Sequence, residues 1–171
     1  PVRVRDRFNP LPPTPDGMAY LENAVYQDEK GPLTLKWDRD AVLWLRDNVQ
    51  GSPAIVEGVT PLYRWGGRVA TLTGLPALIG WDWHQRQQRQ GYSAAIDARL
   101  AAVERIYRSA DPQAALTELK RFGITYVYVG ELDKRYYPDG GLAKFERMRG
   151  ESLDEVFRNP QVTIYRVRGQ G

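Results

Sequence analysis

Residues 111–130 read DPQAALTELKRFGITYVYVG, and this stretch decides the fold. Asp111 is suited to cap a helix with Pro112 at the first helical position, where a missing N–H costs nothing, and Gly123 stops that helix after Phe122. ITYVYVG, 124–130, then follows as a strand, because β-branched and aromatic residues fill it without a break. Alternate residues of a strand face opposite ways, so Tyr126 and Tyr128 share one side while Val127 and Val129 share the other. A helix that feeds straight into an apolar strand is a building unit of an α/β sheet.

The flanking sequence repeats the pattern. DRDAVLWLRDNV, 38–49, predicts a helix capped by Asp38, with Asp40 complementing the dipole and Ala41, Leu45 and Val49 on one apolar stripe. AIVEGV, 54–59, reads as a short buried strand that emerges at Glu57 and Gly58. RVATL, 68–72, reads as a second strand, reached through a loop containing Gly66 and Gly67. PALIGWDWHQRQQRQG, 76–91, is a loop passing into a short helix, and SAAIDARLAAVERIYR, 93–108, is a helix with Ile96, Leu100, Val103 and Tyr107 at helical spacing. Downstream, a helix around 141–148 and a short one at 152–158 lead to a last strand, VTIYRV, 162–167. The expected fold is therefore α/β, a small mixed sheet of about four strands flanked by helices. Residues 1–17, rich in Pro and Arg, read as an extended linker, and 18–171 as a single domain.

Composition narrows the function classes. Of 171 residues, 42% are hydrophobic and 26% charged, as expected of a globular domain large enough to bury a core without staples. No cysteine is present, which excludes disulfides, Cys-ligated zinc, iron–sulfur clusters and a thiol nucleophile. A single histidine excludes multi-histidine metal sites. The net charge of +3 is weak for a nucleic-acid binder, and no basic run compensates, so nucleic acid is not an expected partner. No stretch approaches the ~18 apolar residues of a membrane span. The chain opens on Pro1 without Met and is read as part of something longer.

Chemistry concentrates in 57–89. Glu57 closes a buried strand, and in open α/β sheets ligands bind beyond the carboxyl ends of strands. Tyr63, Arg64, Arg68, Thr71, Thr73, Trp81, Asp82, Trp83, His84 and Arg89 follow closely. Arg supplies a planar fork of donors and Trp a flat apolar face, a combination suited to an anionic or sugar-like ligand. The competing reading makes Glu57–Arg68 a strand-end ion pair, the tryptophans core, and His84 a structural hydrogen-bonder. If the loop folds back as a hairpin, Glu57, Arg68 and His84 converge, and Glu131 after the later strand can enter the same crevice. No phosphate-loop glycine pattern and no nucleophile elbow occur: WGGR (65–68) and PDGG (138–141) are turn glycines.

PDGMAYL (15–21), WLRDNVQGSPAIVEG (44–58), YRWGGRVATLTGLPALIGWDWHQRQQR (63–89), RIYRS (105–109) and ITYVYVGELDKRYY (124–137) occur in that order. Together they resemble the C-terminal soluble domain of the YYY family, polytopic membrane proteins of Chloroflexus-type bacteria and archaea. The family's membrane part is similar to GT-C glycosyltransferases, and the element order resembles the soluble domain of oligosaccharyltransferases. The resemblance implies an extracytoplasmic domain of a cell-membrane protein that recognises substrate or acceptor and is not catalytic alone, with its own transmembrane domain and a lipid-linked sugar or glycan acceptor as partners. It implies no cofactor here, any metal belonging to the membrane portion. The substrate-binding positions it carries over are Glu57, Arg68, Thr73, Trp81, His84 and Arg89, to which the residue pattern adds Tyr63; where the family pattern places a Glu after the His, this chain has Gln85. The alternative is a non-enzymatic interaction domain of a polytopic membrane protein. Absence of heptads and of long exposed apolar strands predicts a monomer.

Overall fold

The computed structural model describes residues 13–170. The expected linker 1–17 therefore lies outside the described residues as far as residue 12. A 3₁₀ turn, Ala19–Glu22, leads into a hairpin of β1 (Val25–Asp28) and β2 (Gly31–Thr34). Then come α1 (Lys36–Asn48), β3 (Ala54–Val56), α2 (Arg68–Thr73), α3 (Asp82–Gln88), α4 (Ser93–Arg108) and α5 (Pro112–Arg121). The chain continues with β4 (Ile124–Val129), α6 (Glu131–Tyr136), α7 (Ala143–Met148), β5 (Leu153–Arg158) and β6 (Thr163–Val167).

The main sheet has the order β3-β4-β6-β5. β3 runs parallel to β4, while β6 is antiparallel to both β4 and β5, so the sheet is mixed as its sequence predicts. Helices cover both faces. On one, Val127, Val129, Tyr165 and Val167 pack on Val103, Ile106 and Tyr107 of α4, Leu119 of α5 and Phe145 of α7. On the other, Tyr128 and Ile164 pack on Ala41 and Leu45 of α1 and Val69 of α2, with Tyr126 partly buried beside them. A third cluster joins the hairpin to α1 and α6 through Leu21, Leu33, Leu35, Val42 and Leu132. The α5–β4 unit forms as read, with Asp111 accepting from the amides of Gln113 at 2.9 Å and Ala114 at 3.3 Å.

Several expectations fail for identifiable reasons. RVATL is helix α2, not a strand. Gly67 and Gly74 bracket it, both left-handed at φ 76°, and Thr71 and Thr73 turn their hydroxyls onto the carbonyls of Gly67 and Val69 at 2.8 and 2.6 Å. The edge of β3 that such a strand would need is occupied instead by 76–78, through Ile55 N–H to Pro76 O and Leu78 N–H to Ile55 O, each 2.9 Å. The predicted short helix at 152–158 is strand β5. A bulge between Glu155 and Phe157 interrupts its period of two, and this leaves Leu153, Val156 and Phe157 at a helix-like spacing. Asp38 is not a cap: α1 starts at Lys36, and Asp38 is buried in its first turn. The hairpin at 25–34 and the helix at 131–136 carry no strong apolar period and escape the sequence reading.

Candidate binding groove

Because β3 and β4 are parallel, their carboxyl ends lie at one edge of the sheet. Glu57 follows β3 there, and Gly130 followed by α6 leaves β4 beside it. Gly67, left-handed, turns the chain so that Arg68 at the head of α2 points inward, where its side chain is 1% exposed. Three carboxylates from three elements meet this guanidinium. Its Nη1 lies 3.4 Å from Glu57, its Nη2 3.1 Å from Asp133 of α6, and its Nε 3.0 Å from Asp38 of α1. The last contact is an ion pair without the alignment of a hydrogen bond. The guanidinium carbon lies over the Tyr128 ring, 5.0 Å from the ring centroid.

Neutral donors satisfy the carboxylates further. Asp133 accepts from the amides of Gly58 and Gly130, both at 2.7 Å. Asp38 accepts from the Tyr128 hydroxyl at 2.5 Å and the Trp65 indole at 3.0 Å. Glu57 accepts from the amides of Val69 and Ala70 at the start of α2, each at 3.4 Å. The two glycines are required by closeness. A Cβ on Gly58 would sit 2.5 Å from Asp133 Oδ1, and one on Gly130 would sit 2.7 Å from Arg68 Nη2.

Burial dominates the electrostatics. It pushes the Glu57 carboxyl up to about 7, against the opposing pull of Arg68 and the α2 amides and with the help of Asp133. Burial pulls the Arg68 guanidinium down, but Asp38, Asp133, Tyr128 and Glu57 outweigh it and leave the group well above its ordinary value. The Tyr107 and Tyr128 hydroxyls are held far up, first by burial and then by the neighbouring carboxylates.

Above this buried knot lies a groove of about 210 Å³. Tyr20, Trp65, Leu72 and Trp81 form apolar walls, Arg64 and Thr71 stand at its rim, and Arg68 lies in its floor. Tyr63 packs on Trp81 with ring centroids 5.2 Å apart and planes tilted by 55°, and is itself left-handed at φ 58°, an uncommon conformation for a side chain of this size. The Trp81 indole N–H is buried and has no acceptor among the described residues.

No family model matches this chain, and no curated protein does. Among solved structures, the C-terminal globular domain of an oligosaccharyltransferase from Archaeoglobus fulgidus matches with a TM-score of 0.50. The match covers 76% of this chain and 96% of that one, at 10% identity. The fold is similar to an oligosaccharyltransferase globular domain. At that identity the likeness is one of architecture and transfers no residue. Among the described residues of this oligosaccharyltransferase-like fold, no helix is long and apolar enough to cross a membrane.

The predicted site residues separate into three groups. Glu57 and Arg68 meet in the knot, and Trp81 with Tyr63 shapes the groove above it. Thr73 ends α2, binding Val69 O and accepting from Leu75 N–H. His84 and Arg89 are exposed on and after α3, and His84 makes no hydrogen bond with Glu57 or Arg68, so the three-way convergence does not form. Nor does Glu131 enter the crevice: it pairs with Arg135 at 3.2 Å, and Asp133, two residues on, takes that place. Asp38, Asp133, Tyr128 and the Tyr20 and Trp65 walls are not read as site residues from sequence. A signal for Asp133 exists in VGELD (129–133): an acid three residues after a glycine at a strand end can reach back to that glycine's amide as a helix begins.

Proposed function

We propose that this chain is the extracytoplasmic soluble domain of a GT-C-like membrane glycosyltransferase of the YYY type, contributing recognition of the substrate or acceptor without catalysing transfer alone. The observation that carries this reading is the aromatic groove at the carboxyl edge of a sheet whose fold is similar to an oligosaccharyltransferase globular domain. Flat indole and phenol faces suit the apolar face of a sugar ring, and the rim guanidinium of Arg64 and hydroxyl of Thr71 suit its hydroxyls or an attached phosphate. Among the described residues, no carboxyl or imidazole lines the groove: the carboxylates of the knot are buried, and the one histidine stands exposed on α3.

The test is an amide and indole NMR titration with free oligosaccharides and with a short-chain polyprenyl-phosphate sugar. Shifts at the Trp65 and Trp81 indoles and at Thr71 support recognition in the groove. Unchanged spectra at millimolar ligand refute it and favour the alternative of a non-enzymatic interaction domain.

A further inference from the structure

The knot brings three acids to one base. Asp133 is held by two amides at 2.7 Å and by Arg68 at 3.1 Å, and Asp38 by a hydroxyl at 2.5 Å and an indole at 3.0 Å. Glu57 has only contacts of 3.4 Å, with Arg68 Nη1 and the Val69 and Ala70 amides. The charged and titratable groups around it are Arg68 from α2, Asp133 from α6, Asp38 from α1 across the guanidinium, Tyr128 from β4 and Tyr107 from α4. The single hydroxyl proton of Tyr107 is directed to two carbonyl oxygens, Tyr128 at 2.6 Å and Val56 at 3.1 Å, so it is not offered to Glu57.

One guanidinium serves three acids, and Asp38 and Asp133 hold it at 3.0 and 3.1 Å while Glu57 stands at 3.4 Å. A third buried negative charge gains little from contacts this long while losing its hydration in full. The acid with the longest contacts is the one that gives up its charge. We propose that Glu57 is a proton-linked latch on α2, whose gain and loss of a proton changes the groove that α2 lines. Burial, which pushes this carboxyl to about 7, agrees with the charge count. On ionising, Glu57 becomes a stronger acceptor for the α2 amides and for Arg68, drawing in the helix that carries Arg68, Thr71 and Leu72 to the groove. The latch is a property of the unliganded domain, and only its effect on affinity rests on the groove being the binding surface.

The side-chain carboxyl carbon of Glu57 and the indole nitrogens of Trp65 and Trp81 are followed by NMR from about pH 4 to about pH 9. Glu57 should titrate near neutrality, and both indoles should share its midpoint. Imidazole ordinarily titrates in the same range, so a variant of the one histidine is the control. The indole transitions should persist in His84→Gln and vanish in Glu57→Gln. A Glu57 midpoint in the ordinary carboxylate range, or indole transitions that disappear with His84, overturns the latch. The carboxyl carbon is read in the wild-type protein, so that arm stands even where Glu57→Gln fails to fold. Affinity for the short-chain polyprenyl-phosphate sugar should then differ at least about threefold across the transition. A titrating Glu57 with no binding refutes the groove function and keeps the latch, whereas binding that is flat in pH refutes the coupling.

Discussion

Arg68→Met removes the cation that Asp38, Glu57 and Asp133 share. Methionine fills similar apolar volume, so the loss is electrostatic rather than a cavity. Deleting one partner of a buried ion pair typically costs ~3–5 kcal/mol, because the charge left behind is uncompensated. The structure says how that cost is distributed. Asp133 keeps the Gly58 and Gly130 amides and Asp38 keeps Tyr128 and Trp65, whereas Glu57 keeps only two amides at 3.4 Å. Since Glu57 can meet the loss by holding its proton, the penalty should approach that of one broken pair and not three, about 4 kcal/mol. Urea unfolding followed by tryptophan fluorescence measures it. A second signature comes from linkage. Without Arg68 the Glu57 carboxyl loses the charge that opposes its burial and rises further above its unfolded value, so the folded variant binds more protons than the unfolded chain. The gap to wild type should therefore narrow as the pH falls from neutrality toward about 4.5, the unfolded Glu value. A loss below about 1 kcal/mol, or a gap independent of pH, refutes the reasoning.

Glu57→Gln should remove a pH-dependent penalty: a carboxyl raised from 4.5 to about 7 is stabilising below its unfolded pKa relative to above its folded one, so wild type loses up to about 3 kcal/mol across that window and the variant does not. Denaturation midpoints on either side of the window check this, and parallel curves for the two proteins contradict it. Gly58→Ala places a Cβ 2.5 Å from Asp133 Oδ1 and 2.6 Å from the Tyr137 ring, so it should cost about 2 kcal/mol or more, with Gly17→Ala as a comparison at an open glycine. Asp111→Ala strips the cap of α5, and thermal unfolding should register a loss of about 1 kcal/mol while groove resonances stay in place.

Where local chemistry and tertiary demand agree, the sequence is legible. The capped helix at 112–121 and the strand after it satisfy both, as does the 16-residue helix from Ser93 to Arg108. Legibility fails where long-range contacts decide. Residues 68–73 have β-branched composition, yet they coil because Arg68 must reach three carboxylates drawn from positions 38, 57 and 133. No local rule contains that requirement. The same holds for Asp38, whose place at the start of an apolar run imitates a cap while its partners, Tyr128 and Arg68, lie far along the chain. Glu57 and Arg68 could be paired from sequence because only a strand end and one loop separate them. Their third partner, Asp133, depends on β3 and β4 lying side by side, a pairing made across 67 residues of intervening chain between Val56 and Ile124.

Stability alone does not account for the knot. Replacing a buried ionic cluster with well-packed apolar residues is often neutral or favourable, so three acids around one base are a poor means of gaining stability. What the knot does supply is position. A helix of six residues has too few internal bonds to hold itself, since nucleation alone is unfavourable. α2 is nevertheless fixed, because Arg68 at its head is tied to α1, β3 and α6 at once and its first free amides are capped by Glu57. The outer side of that same helix contributes Thr71 and Leu72 to the groove. The groove's geometry is thus set from within the domain by the charges of the knot, and a perturbation of the knot reaches the groove through α2 and through the Trp65 indole bonded to Asp38.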